Sequence, residues 1–316
     1  MDLPETPTPA AQARRRIGFI GLGAMGGPIA RHLCEAGHRV AGFDLNHAAL
    51  ERLAQAGGTA ASGAAEAARG ADLLFVMVVN GAQAEAVLFG QDTAAAALPR
   101  GATVILSSTL PPDHAAAIAS RLEEMGLFML DAPVSGGVTG AEAGTLTVIA
   151  SGPDAAFDAA AAVIRGYCGQ LYRVGSRAGQ GSTVKLVNQL LTATHIALTA
   201  EALALGARAG VDPSLLYEVV AHSAGRSFQF EKRAPRMIAG DHEPQSRVDI
   251  FLKDLSIALD AARGLNAPVP IAAAAHQVFT MAAGAGLGPR SDTEVLRVYE
   301  SFGALDIAEL AKGTKP

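Results

Sequence analysis

In the first half of the chain, apolar positions fall into short continuous runs, each closed by glycine or a polar turn. Ile17 to Ile20, His38 to Phe43, Leu73 to Val79, Thr103 to Leu106, Leu127 to Leu130, Leu146 to Ala150 and Gln170 to Val174 read as strands. Runs without alternation belong to strands covered on both faces, as in a parallel sheet. Between them lie segments of helical period: 28–35, 48–56, 64–69, 82–89, 92–98, the stretch after Pro111-Pro112 to Met125, and 153–165. Strand and helix in alternation predict an α/β, doubly wound sheet. From Gly179 onward the pattern changes to helical period without a strand. A long helix over 182–209 is followed by helices over 213–222, 228–238, 248–263, 271–283 and 293–299, with a last helical turn after 304.

The first strand runs into Gly21-Leu22-Gly23-Ala24-Met25-Gly26, glycines at the G-x-G-x-x-G spacing. The first permits a tight turn, the second lets backbone approach a pyrophosphate, and the third lets helix pack on strand. The next helix directs its free N–H groups and positive end at an anion lying on the turn. The following strand ends in Asp44, about twenty residues on, where a carboxylate bonds the adenine ribose hydroxyls. Capping of the helix near His47 is the structural alternative for Asp44. Strand, glycines, helix, strand and acid in that order favour the cofactor reading. Asp44 favours NAD over NADP, since it repels a 2′-phosphate and no Arg stands in Leu45-Asn46-His47. The organisation expected is therefore a tail over 1–15, a Rossmann NAD-binding domain over 16–178, mostly parallel, and an all-helical domain over 179–316 for substrate and assembly.

Composition narrows the picture. Of 316 residues half are apolar, enough for two cores, and the formal net charge of −5 disfavours a general nucleic-acid or membrane-surface role. Two cysteines in no paired motif fit a reduced, cytoplasmic protein. The eight histidines show no metal-ligand spacing. Met1 to Arg15, with Pro4, Pro7 and Pro9, reads as a disordered tail and not a signal peptide. No apolar run is read as long and uninterrupted enough to span a bilayer.

Ligand loops of doubly wound sheets lie at the carboxyl ends of strands, which makes Val78, Val79 and Asn80 cofactor neighbours or a plain turn. Ser107-Ser108-Thr109 offers three hydroxyls at another strand end, for nicotinamide or substrate, or as caps for the next helix. Asp131-Ala132-Pro133-Val134-Ser135-Gly136-Gly137 exposes backbone N–H groups around two glycines, a concavity suited to a carboxylate, or as a pattern alone any glycine-rich loop. On the long helix, Lys185 and Asn188 are three apart and share a face, continued by Thr192 and His195. A lysine in a desolvated place near a helix start has its pKa lowered and can take a proton from an alcohol as hydride leaves. Periodicity alone favours a solvated surface lysine over a catalytic one.

Four signatures change that weighing. They are Gly18 to Gly26; Asp131 to Gly137; Gly179-Gln180-Gly181-Ser182-Thr183-Val184-Lys185-Leu186-Val187-Asn188; and Lys253-Asp254-Leu255. In this order, from about Arg16 to near Val298, the chain resembles the β-hydroxyacid dehydrogenase family, which includes 3-hydroxyisobutyrate dehydrogenase and tartronate semialdehyde reductase. The resemblance implies that Lys185 is the catalytic acid/base and that Ser135, Gly136 and Gly137 bind the substrate carboxylate, with Asn188 assisting. It places Thr109 and Lys253 at the cofactor, and implies an active site between the two domains. It also implies a homodimer or homotetramer. Within the family, Val78-Val79-Asn80-Gly81-Ala82-Gln83, Ala221-His222-Ser223-Ala224-Gly225 and Val248-Asp249-Ile250-Phe251 resemble the branch that oxidises the C2 hydroxyl of L-threonate with NAD. A polyhydroxy substrate needs extra hydrogen-bond partners, for which Ser223, Gln229 and His195 are candidates. The family's other activities, on tartronate semialdehyde and 3-hydroxyisobutyrate, are the alternatives. Imine-reducing relatives usually lack the lysine and nucleotide-sensing chromatin readers replace it, so Lys185 stands against both.

Overall fold

Strand β1 (Arg16–Ile20) is buried after its first residue and is the pivot of the sheet. The computed structural model describes residues 14–303 and 305–313. After β1 come α1 (Gly26–Glu35), β2 (Arg39–Phe43), α2 (His47–Gln55), β3 (Thr59–Ala60), α3 (Ala64–Ala68), β4 (Leu73–Val76), α4 (Gly81–Phe89), α5 (Ala94–Ala97) and β5 (Thr103–Leu106). The sheet continues through α6 (Pro112–Glu124), β6 (Phe128–Asp131), β7 (Val134–Ser135), α7 (Gly137–Ala143), β8 (Leu146–Ser151), α8 (Asp154–Ile164) and β9 (Cys168–Gly175). The strand order is β3-β2-β1-β4-β5-β6-β8-β7, with β9 on β8. The six strands from β3 to β6 are parallel, in the order that places a switch point between β1 and β4. The chain then reverses: β8 runs antiparallel to β6 and β7, and β9 is parallel to β8.

Alternate side chains of each central strand enter different cores. Ile17, Phe19, Leu73, Phe75 and Ile105 pack beneath α1 and α8, whereas Leu74, Val76, Val104 and Leu106 pack with Ala67, Leu88, Ile118 and Leu122. This double burial is why these strands read as unbroken apolar runs. Phe19 stacks on Phe75 at 5.2 Å between centroids, and Tyr167 meets Phe75 edge-on at 5.9 Å.

The described residues divide into two compact units at Val184/Lys185, inside α9 (Gln180–Arg208). The second unit continues with α10 (Pro213–Ala221), α11 (Phe228–Ala239), α12 (Val248–Gly264), α13 (Pro270–Ala282), a π-helical turn Ala283–Leu287, a 3-10 turn Asp292–Val295, α14 (Leu296–Ser301) and α15 (Ile307–Ala311). Asp212 and Ser227 cap α10 and α11 by accepting from Leu215 N and Phe230 N. Ala193, Ile196, Ala200, Leu203, Phe230, Leu255 and Phe279 form its core.

By length and composition α9 is long and apolar enough to cross a membrane, with a mean hydropathy of 1.4 over its richest window, which corrects the expectation that no run reaches that length. One face of it packs in the core of its unit through Ala193, Ile196, Ala200 and Leu203, while Val187, Leu191, Leu198 and Leu205 lie exposed. Of the amino-terminal stretch, Met1 to Ala13 lie outside the described residues. Arg14 Nε donates to Gly37 O, and Arg15 N donates to His38 Nδ1 at 3.3 Å.

Candidate active site

In the first unit, the three glycines of the turn answer three steric demands. Gly21 has φ +93°, and a Cβ there would stand 2.2 Å from Met77 O. A Cβ on Gly26 would stand 1.9 Å from Gly21 O. Gly23 meets nothing within 4 Å: the space over it is open, and a side chain would fill it. Gly23 and Ala24 are exposed, Met25 half-buried and Leu22 buried. Helix α1 begins here without a side-chain cap and without an acid in its first turn. An open glycine at an uncapped helix start is what a dinucleotide pyrophosphate requires, so these residues fit NAD.

Asp44 is not a cap of α2, which Asn46 caps by accepting from Ala48 N. Its Oδ2 accepts from Leu22 N at 2.6 Å and its Oδ1 from Asn46 N at 2.8 Å. The carboxylate thus ties the end of β2 to the glycine turn. Asn80 caps α4 through Gln83 N at 2.9 Å, and Gln83 Oε1 accepts from Val79 N at 2.9 Å, so Val79 and Asn80 are held by reciprocal capping. Val79 remains half exposed at 49%. The hydroxyls after β5 do not cap α6, whose cap is Pro111. Ser108 Oγ accepts from Val78 N at 3.0 Å, and Thr109 is half-buried beside it. Ser135 lies in β7, opposite Thr147. Gly136 (φ +133°) and Gly137 (φ +66°) are exposed and open α7 without a side-chain cap.

The second unit holds a chain of polar side chains that periodicity did not disclose. Lys185, 6% exposed, donates from Nζ to Gln189 Oε1 at 2.8 Å. Gln189 Nε2 donates to Asp254 Oδ2 at 2.6 Å, and Lys253 Nζ donates to Asp254 Oδ1 at 2.7 Å. Asn188 Nδ2 donates to Gln189 Oε1 at 3.0 Å. The amide of Gln189 is fixed in orientation: only its oxygen can serve the ammonium, and only its NH2 can serve the carboxylate. Burial pushes the Lys185 amine down to about 8; the Lys253 charge adds to that and the Asp254 charge opposes it. Gln189 and Asp254 were missed as site residues. The spacing from 185 to 189 was a usable signal, being one helical step on the lysine's own face.

The proposed partners for extra hydroxyls are scattered in kind. Ser223 is exposed and donates to Val219 O at 2.6 Å. His195 is half-buried, and its carbonyl accepts from Thr199 Oγ1. Gln229 is half-buried, with Oε1 shielded from solvent and unpartnered.

Residues 16–175 match the NAD binding domain of 6-phosphogluconate dehydrogenase, and residues 179–299 match the NAD-binding family of NADP-dependent 3-hydroxyisobutyrate dehydrogenase. The chain is 50% identical to an L-threonate dehydrogenase of Cupriavidus necator, over 90% of this chain and 96% of that protein. It is 44% identical to an L-threonate dehydrogenase of Escherichia coli K12, over 90% and 95%. The chain belongs to the 3-hydroxyisobutyrate dehydrogenase family. A crystal structure of a 3-hydroxyisobutyrate dehydrogenase from Salmonella typhimurium superposes with a TM-score of 0.83 at 43% identity, covering 89% of this family member and 99% of that chain. Membership makes the protein an NAD(P)-dependent oxidoreductase of the hydroxy-acid class. It also accounts for a sheet of this order followed by helices.

Proposed function

We propose that this protein is an NAD-dependent dehydrogenase that oxidises the C2 hydroxyl of L-threonate to the 2-oxo acid, 2-dehydro-L-erythronate. The chemistry is carried by one observation: a buried lysine lowered to about 8 and held by Gln189. Such an amine is neutral often enough near neutral pH to act as a base and charged often enough to act as an acid. The substrate is supported by relatives named L-threonate dehydrogenase at 43–50% identity over about nine-tenths of the chain.

When bound, NAD supplies the acceptor for the hydride leaving C2. Lys185 Nζ takes the hydroxyl proton, and Gln189, braced by Asp254, keeps the amine from swinging away. Asn188 holds the reacting hydroxyl. Ser135 Oγ and the amides of Gly136 and Gly137 hold the carboxylate. Gly21 to Gly26 receive the pyrophosphate and Asp44 the adenine ribose, with Val79, Asn80, Thr109 and Lys253 lining the cofactor. On this reading residues 16–178 bind the nucleotide and 179–316 serve substrate and assembly. The cytoplasm is the compartment proposed, where Cys34 and Cys168 stay reduced.

NADH formation against L-threonate, D-threonate, both erythronates, 3-hydroxyisobutyrate and glycerate tests the reading. Turnover led by L-threonate with NAD is expected. Turnover led by 3-hydroxyisobutyrate, the activity named for the Salmonella structure, would replace the substrate and keep the family.

We further propose a homodimer or homotetramer. Val187, Leu191, Leu198 and Leu205 on α9 are 51–70% exposed, and the last three stand seven residues apart. That spacing is a seam for a second helix. Light scattering should show a dimer or tetramer for the native chain and a smaller species for Leu191→Glu/Leu198→Glu. A monomeric native chain would refute the assembly.

A further inference from the structure

Asp131, the last residue of β6, is completely buried. Its Oδ2 accepts from Gly179 N at 2.9 Å and from Ser182 N at 2.8 Å, and its Oδ1 accepts from Ser182 Oγ at 2.8 Å. Ser151, at the end of β8, donates from Oγ to the same carboxylate at 3.3 Å and accepts from Gly181 N at 2.8 Å. The amides at the start of a helix have no intrahelical partner. At the start of α9, those of Gly179, Gly181 and Ser182 are taken by two side chains from strand ends.

The approach is close. A Cβ on Gly181 would stand 2.7 Å from both Asp131 O and Ile149 O. Gly179 has φ +95°, and a Cβ there would stand 2.6 Å from Pro112 O. Gly179-Gln180-Gly181-Ser182 is therefore a docking sequence, with glycine where backbone touches backbone and serine where a hydroxyl reaches the carboxylate. A helix that needed only an end could be capped by its own chain, as Asp212 and Ser227 cap α10 and α11. Here the cap comes from 48 and 51 residues away, so it fastens the helix to the sheet as well as ending it.

We propose that Asp131 is a positioning residue for the dehydrogenase reaction: by clamping the first turn of α9 it fixes the helix that carries Lys185 three residues further on. The proposal rests on Lys185 being the acid/base. Burial raises the Asp131 pKa and the hydrogen bonds from Ser182, Gly179 and Ser151 work against that; a carboxylate suits the task because its two oxygens accept from all of these donors at once. An asparagine of the same shape has one acceptor oxygen and turns an NH2 group toward N–H donors.

The test uses the full-length chain carrying Asp131→Asn. Hydrogen exchange needs no substrate: amides 179–183 should lose about tenfold or more of their protection, while the core of α9 around residue 200 keeps its own. With the preferred hydroxy acid and NAD, kcat should fall by roughly ten- to a hundredfold, the scale of a displaced catalytic group, while the dissociation constant for NADH stays within about threefold. If Asp131→Asn does not fold, Ser151→Ala/Ser182→Ala removes three of the clamping bonds, leaving those from Gly179 N and Ser182 N, and should lower kcat with NADH binding retained. Unchanged exchange at 179–183, unchanged kcat, or NADH affinity lost in step with kcat would each overturn the positioning role. A wild-type chain that oxidises no hydroxy acid would overturn the reaction itself and the role with it, a result distinct from an active wild type matched by an equally active variant.

Discussion

Replacing Lys185 by methionine should stabilise the protein while abolishing turnover. The buried amine is lowered from 10.5 to about 8, a difference worth about 3 kcal/mol at 1.36 kcal/mol per unit. Removing it strands nothing. Gln189 Oε1 still accepts from Asn188 Nδ2, and Asp254 keeps both Lys253 and Gln189. This differs from breaking a buried ion pair, where the surviving charge makes the variant less stable. The sign follows from the two pKa values. Below pH 8 the lysine is charged in both folded and unfolded chains, and the fold carries the whole penalty. Between pH 8 and 10.5 the folded chain sheds the proton first, and the penalty fades; above 10.5 it is gone. Thermal and urea melts of both proteins at pH 7, 8.5 and 10 would show this. The variant should melt roughly 5–10 °C higher at pH 7, with the gap narrowing as pH rises. A variant no more stable than wild type at pH 7, or a gap independent of pH, would refute the claim that Lys185 is held at the expense of stability.

The same amine sets the pH dependence of the reaction. In the direction of alcohol oxidation kcat/KM should rise about tenfold per pH unit below 8 and level off above it, since the neutral lysine is the base; reduction should show the reverse, and a profile flat across pH 8 would exclude Lys185. Asp44→Ala removes the carboxylate that would repel a 2′-phosphate and also frees Leu22 N, so NAD affinity should drop and the preference for NAD over NADP should fall by about tenfold or more, measured as the ratio of kcat/KM values. Gly26→Ala brings a Cβ to 1.9 Å from Gly21 O and should weaken NADH binding by about a hundredfold in a fluorescence titration, with the helical unit unaffected.

Much of the nucleotide-binding unit was legible because its signals are local. The glycine spacing, the double-sided strands and the acid at the end of β2 each follow from neighbours within a few residues. Helix α7 escaped notice because Gly137-Val138-Thr139-Gly140-Ala141-Glu142-Ala143 buries only Gly140 and Ala141, and two small residues leave no periodic apolar stripe. Strand β3 is two exposed residues long and exists only because β2 offers an edge. The reversal of direction at β8 is a property of the sheet, which no strand carries in its own sequence. In the helical unit the elements were visible but their meeting was not. Gln189 and Asp254 are 65 residues apart, and a 2.6 Å bond between them is set by how α9 and α12 pack. The serine of Gly179-Gln180-Gly181-Ser182 was likewise visible as part of a signature, while its partner Asp131 shows itself only once β6 and α9 are in place.

The central claim is that the C2 hydroxyl of L-threonate loses its hydrogen as hydride to NAD while Lys185 takes the proton. L-threonate carrying deuterium at C2 tests it directly, with the reduced cofactor examined by mass spectrometry and Lys185→Ala as the control. The account predicts deuterated NADH and a 2-oxo acid from the native enzyme and neither from the variant. Unlabelled NADH with deuterium retained in the product would place the oxidation at another carbon, and turnover by Lys185→Ala at the native rate would remove the lysine from the reaction.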